Sequence, residues 1–177
     1  MPLANGTWVA DPSHSSVEFV VRHLGLSKVR GRFHEYTMAL EVHDSLAESS
    51  VIATIDLASI DTGDADRDEH LRSIDFFDVA NEPTMTFAST SIAVDDGAYQ
   101  LLGDLALNDI TRAVAIDVEF HGTEVSPVDS RVRAGFSGYA EICRSDFGIE
   151  FDVPLHSGRL MLGEHVAIEL EMQLHRS

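Results

Sequence analysis

Apolar side chains recur at every second position through most of this chain, and no other feature restricts its folding as tightly. "VAIDVEF" sets Val114, Ile116, Val118 and Phe120 on one face against Ala115, Asp117 and Glu119 on the other. "VAIELEMQL" repeats the pattern with Val166, Ile168, Leu170, Met172 and Leu174, and "SVEFVVRHL" sets Val17, Phe19 and Val21 opposite Glu18, Val20 and Arg22. A helix would bring apolar residues back three and four positions apart. Period two describes half-buried antiparallel strands.

Further strands are predicted over Gly31–Val42, Ser50–Leu57, Met85–Val94, Tyr99–Leu107 and Val132–Arg144. Asp95–Gly97 ("DDG") marks a hairpin turn and "LNDITR" another, while "HDSLAESS" and "VSPVDS" have the composition of surface loops. "DADRDEHLRS" is the best helix candidate, with acids in its first turn and Arg72 in its last, as the helix dipole favours. "GIEFDVPL" keeps neither period and reads as a short helix or a covering loop. About eight antiparallel strands with one helical insertion define an all-β barrel or sandwich. Small inward positions favour a barrel that holds a ligand: Val132, Ala134, Phe136, Gly138 and Ala140 form an apolar but mostly small face. A tight bend requiring glycine explains the same residues equally well.

The 177 residues suffice for one domain with its own core, read as residues 7–177 behind a six-residue tail. Twelve Lys and Arg against thirty Asp and Glu leave a formal charge of −18. That field repels a nucleic-acid backbone and disfavours a polybasic membrane-surface role, so any anionic ligand must be met by a local cationic pocket. Cys143 is the single cysteine, so no internal disulfide forms. The start of the chain has no basic patch and apolar run of a leader, and no stretch is long enough to be a transmembrane segment. The expected location is cytoplasmic.

Nine histidines invite a metal, but no pair has the spacing that places two imidazoles on one helix or strand face. No metal or cofactor is expected. No serine sits in a hydrolase elbow, and no glycine-rich loop opens a helix. What stands out is a few cationic and imidazole groups in acidic or apolar surroundings: His14, Arg67, His70, Arg72 and Arg144. Taken singly, each is better explained structurally: Arg67 and Arg72 by pairing with neighbouring carboxylates, and His14 by capping a turn.

These same residues carry a resemblance. Trp8–Phe19 ("WVADPSHSSVEF"), Val29–Phe33 ("VRGRF"), Ser59–Gly63 ("SIDTG"), Arg67–Asp78 ("RDEHLRSIDFFD"), Pro83–Phe87 ("PTMTF") and Arg144–Ile149 ("RSDFGI") occur in the order found in the YceI-like family. The chain resembles that family of polyisoprenoid-binding, lipocalin-like proteins from about Thr7 to Leu174. It departs at Leu105–Thr111, which reads "LALNDIT" where the family usually has a histidine-glycine turn, and at Glu82, where an aromatic residue often precedes the proline.

The resemblance implies an antiparallel lipocalin-like β-barrel whose cavity takes an isoprenoid or other long-chain amphiphilic lipid. It also implies a homodimer. His14, Arg67, His70, Arg72 and Arg144 are the expected head-group residues. Val17, Phe19, Val21, Phe76, Phe87, Ala134, Phe136, Phe147, Ile168 and Leu170 are the expected cavity lining. The expected role is binding, sequestration or transport without catalysis. An enzyme built on His14, His70 and Arg144, and a stress-related interaction module with an incidental cavity, are the rival readings.

Overall fold

Three of the barrel's eight tracks are broken, and the breaks decide where the interior opens. The computed structural model describes residues 3–95 and 97–177. Its strand segments are β1 (Gly6–Ala10), β2 (Ser16–His23), β3 (Ser27–Phe33), β4 (Tyr36–Val42), β5 (Ser50–Asp56) and β6 (Ile60–Asp61). After helix α1 (Ala65–Arg72) come β7 (Thr84–Asp95), β8 (Ala98–Leu107), β9 (Ile110–Val125), β10 (Val132–Cys143) and β11 (Leu162–Arg176).

Every pairing between these strands is antiparallel, and β1 meets β11 to close the sheet. The result is an eight-stranded barrel. β2 and β1 lie in succession along one side of β11, with Val21 opposite Val166 and Ala10 opposite Leu174. β3 and β4 form the next broken track, against β2 and β1. β5 and β6 form the third.

The expected single strand over Gly31–Val42 is therefore two strands separated at His34–Glu35. The neighbouring track bends at the same level, where residues 57–59 make a 3-10 turn that Asp56 caps by accepting from the Ala58 amide. His34 donates to the Ser59 carbonyl and Asp56 to that of Glu35, so the two bends are hydrogen-bonded together.

Alternation along β9, β10 and β11 points inward as expected, with Val114, Ile116, Phe136, Met172 and Leu174 buried. The Asp95–Gly97 hairpin joins β7 to β8, whose ladder begins at Asp95 opposite Ala98; Asp96 lies outside the described residues. Asn108 and Asp109 both take positive φ, as the tight β8–β9 turn requires. Residues 148–155, expected as a short helix or a covering loop, belong to a covering loop that runs to residue 161 and whose far part closes as a hairpin bridged between Pro154 and Leu160.

Helix α1 fits the charge pattern of its sequence. Asp64 caps it by accepting from the Arg67 amide, acids occupy its first turn, and His70 and Arg72 its last. The helix lies at the β6 end of the barrel. At the opposite end Leu3, Trp8 and Leu174 are buried, and the Trp8 indole donates to the Ala4 carbonyl at 2.9 Å. Among the described residues no helix is long and apolar enough to cross a membrane.

Candidate ligand site

Two cavities lie end to end inside the barrel. The lower, of about 150 Å³, is walled by strands alone, including Phe87, Leu101, Phe136 and Leu170. The upper, of about 270 Å³, is walled by β2 and β3 and covered by α1, residues 73–83 and the 144–161 segment. Val17, Met85 and Ile168 line both, so these side chains form a shared waist.

Two glycines keep the walls clear. A Cβ at Gly31 would fall on the Phe19 ring, and one at Gly103 on the Phe87 ring. Each ring lies back over its bare backbone instead of standing across the lumen. This close approach is what glycine permits in a strand. Gly138 does something else: its absent Cβ leaves space that Leu170 and Ile116 already fill, at 3.1 and 3.4 Å from where it would be. The small face of β10 therefore does not make the cavity by itself. Ala134, expected in the lining, is fully buried opposite Leu174 and touches neither cavity.

Apart from Val17 and Ile168 at the waist, the other expected lining residues divide between the two cavities. Phe19, Val21, Phe76 and Phe147 face the upper cavity. Phe87, Phe136 and Leu170 face the lower. Sequence reasoning missed Met85 and Ile149. Met85 lies within "PTMTF" itself, two positions before Phe87 on the same strand face, so the alternation was sufficient to find it.

The cationic residues separate more sharply. Arg67 and His70 both line the upper cavity, yet their side chains are 40% and 43% exposed, so the cavity meets solvent at α1. Arg67 donates through Nε to Thr62 Oγ1 at 2.7 Å and through Nη2 to the Thr62 carbonyl at 2.9 Å. Its Nη1 faces Asp64 at 4.0 Å. The Thr62 hydroxyl in turn donates to buried Asp68 at 2.6 Å, which fixes the position of the guanidinium. His70 holds Asp75 through Nε2 at 2.8 Å. Its ring meets Phe76 and Phe151 edge-on, at 5.0 and 4.8 Å between centroids.

Arg144 is 5% exposed, and its donors are turned to protein. Nε donates to the Gly163 carbonyl, Nη1 to those of Ile149 and Phe151, and Nη2 to Asp152 at 2.6 Å with Glu164 at 3.6 Å. Asp152 also accepts from the amides of Val153 and Met161. Arg144 is thus the internal clamp of the covering loop. Hydrogen bonds from Ser145 and Cys143, with Arg144 nearby, hold the Glu164 carboxyl below its usual range.

Arg72 lines neither cavity. Its guanidinium donates to the Ala58 and Ile60 carbonyls, both at 2.9 Å, and ties α1 to the β5–β6 track. His14 sits at the β1–β2 break, 62% exposed and paired with Asp11 at 3.1 Å. That contact lowers the Asp11 pKa. His14 lines neither cavity, whereas His70 and Arg144 both line the upper one, so those three do not form one site.

At the departures from the family pattern the rim is polar. Asn108 donates to the Phe76 carbonyl at 2.8 Å and to that of Phe147 at 3.3 Å, joining the β8–β9 turn to both covering segments. Glu82 is pushed up by desolvation and by its contact with Asp109.

A closed antiparallel barrel around an elongated apolar interior, wet at one end, belongs to the lipocalin-like class of β-barrels. The chain is a member of the YceI-like family, whose domain profile matches residues 8–174. A UPF0312 protein of Staphylococcus epidermidis is 37% identical over 161 residues, spanning 90% of this chain and 91% of that protein. BcnA of Burkholderia cenocepacia shares the fold with a TM-score of 0.78 at 23% identity, over 93% of this chain and 98% of its own. A polyisoprenoid-binding domain from Saccharophagus degradans does so with a TM-score of 0.69 at 16% identity, over 96% and 98%.

Proposed function

We propose that the barrel binds one long-chain amphiphile of the isoprenoid class, tail inward through the waist and head at Arg67 and His70. The observation that carries this reading is the pair of apolar cavities meeting at Val17, Met85 and Ile168. Together they reach the range of roughly 300–1,000 Å³ typical of small-molecule sites. Each methylene buried there contributes roughly 0.8 kcal/mol before ordering costs, so the tail supplies most of the affinity. The head-group contacts are fewer. Arg67 presents Nη1 at the wet edge and is positively charged at any working pH, which suits a phosphate or carboxylate. The protein acts here as a carrier or store, with no chemistry at the site. Membership of the family and the polyisoprenoid-binding neighbour support the ligand class.

Lipid extraction and mass spectrometry of the purified protein test it. A prenyl lipid recovered in stoichiometric amount is the expected result; chemical turnover of added prenyl lipid, or failure to take it up, would overturn the reading. Met85→Phe narrows the waist and sharpens the test. Retention of short prenyl alcohols with loss of long ones is expected, since only the long tails must pass Met85.

A further inference from the structure

Thirty acidic residues dominate this chain, yet two neighbouring loop tips contain none. Residues 19–34 hold no Asp or Glu and carry Arg22, Lys28, Arg30 and Arg32, four of the twelve cations. Residues 153–163 likewise hold no acid and carry Arg159. The fold brings the two together. Leu24 donates its amide to the Met161 carbonyl at 2.7 Å, His23 pairs with Leu162, and the Arg159 guanidinium lies against Gly25.

Aliphatic side chains project from the same two tips. Leu26 is 77% exposed at the β2–β3 turn, and Val153 and Leu160 are 46% and 49% exposed on the 153–161 hairpin. Arg30 is held by Glu169 at 2.7 Å, whereas Arg22, Lys28 and Arg159 have no ion pair among the described residues. The patch adjoins the upper cavity, whose lining includes His23, Val29 and Met161 from these same segments.

We propose that these two tips dock the protein on the phosphate-bearing face of a lipid bilayer, with Leu26 and Leu160 entering the interface and Arg22, Lys28 and Arg159 meeting phosphates. The inference rests on the lipid-binding reading, because it supplies the route by which a lipid reaches the cavity. Charge complementarity selects this occupant. Basic side chains around aliphatic ones are the composition of an interfacial anchor; Glu169 and Glu18 adjoin its base on Arg30 and Arg32, and acids farther off than a Debye length of about 8 Å act weakly at physiological salt.

Flotation with phosphatidylcholine vesicles, with and without phosphatidylglycerol, tests the surface on the full chain. Binding that rises with phosphatidylglycerol and falls with salt is expected. Leu26→Ser with Leu160→Ser should weaken it by more than about tenfold, and Lys28→Glu should reduce its dependence on phosphatidylglycerol. All three residues are exposed, so unchanged thermal unfolding is the expected control. Failure of the wild type to float, or equal flotation of the double variant, overturns the proposal. So does a change in sedimenting mass for the double variant, which would make the tips a contact between copies. Extraction separates the two readings: protein that carries lipid yet does not float sinks the docking surface alone. Protein that floats yet takes up no lipid sinks the cavity reading alone.

Discussion

The lower and upper halves of the barrel enclose apolar space by different means. The lower half is strand ladder throughout: each wall residue is placed by backbone pairing, and its neighbours are two positions away in sequence. The upper half is roofed by a short helix, a turn and a covering loop that pair little with the sheet. Polar contacts hold that roof, from Arg144, Asp152, Asn108 and Arg72. Regular hydrogen bonding makes one chamber a fixed container. The other depends on a few side chains and is the half able to open.

The largest effect expected from breaking this difference comes from Arg144→Met. It removes the clamp while leaving Asp152, whose side chain is only 9% exposed, and the carbonyls of Ile149, Phe151 and Gly163 without their partner. Loss of one partner of a buried ion pair typically costs about 3–5 kcal/mol. Chemical denaturation should show a loss of that order. Amide exchange should show it concentrated in residues 148–161, with the β8–β10 ladder still protected. Uniform loss of protection would mean that the halves are one cooperative unit.

Next come the two glycines on which the aromatic rings rest. Gly103→Ala meets the Phe87 ring and also the Ala88 carbonyl oxygen, 2.6 Å from the new Cβ, so backbone must move. A cost of about 1–3 kcal/mol is expected for this overpacking. Gly31→Ala meets the ring of Phe19 and the Thr62 methyl, both side-chain atoms. Here the ring should swing into the upper cavity, with a smaller stability loss and a clear drop in prenyl-lipid capture. Equal destabilisation by the two changes, measured by thermal unfolding, would show that the upper wall is as rigid as the lower.

The same contrast explains what was legible in the sequence. Val114, Ile116, Phe136, Leu170 and Met172 reveal their faces by alternation alone, because a ladder fixes every second side chain. The family resemblance adds Arg67 and His70, both of which line the cavity. Alternation cannot show that Arg144 turns inward onto carbonyls of its own loop, because no period governs a loop that folds around one side chain. Nor does it show that Gly138 is filled by Leu170, since occupancy depends on the neighbouring strand's rotamer. Ala134→Trp illustrates the cost. Taken as cavity lining, it would block the tail and leave the barrel folded; at a fully buried position outside both chambers it should destabilise the floor.

The smallest predicted effect lies at the upper rim, where Glu82 faces Asp109 and Asp78. Desolvation first, and then these carboxylates, raise its pKa in the folded chain. A raised carboxyl means that the folded state holds its proton more tightly than the unfolded state does. Stability should therefore fall as pH rises from the unfolded pKa through the folded one, and stay lower at neutral pH. Glu82→Gln removes the ionisation, so the variant should equal wild type in acid and slightly exceed it above that window. Thermal unfolding on both sides of the window checks the sign. A variant less stable than wild type at neutral pH would mean that the ionised Glu82 supports the rim instead of straining it. Lower-chamber variants such as Leu101→Val should shift stability by the same amount on both sides of that window, because among the described residues no carboxyl lines that cavity.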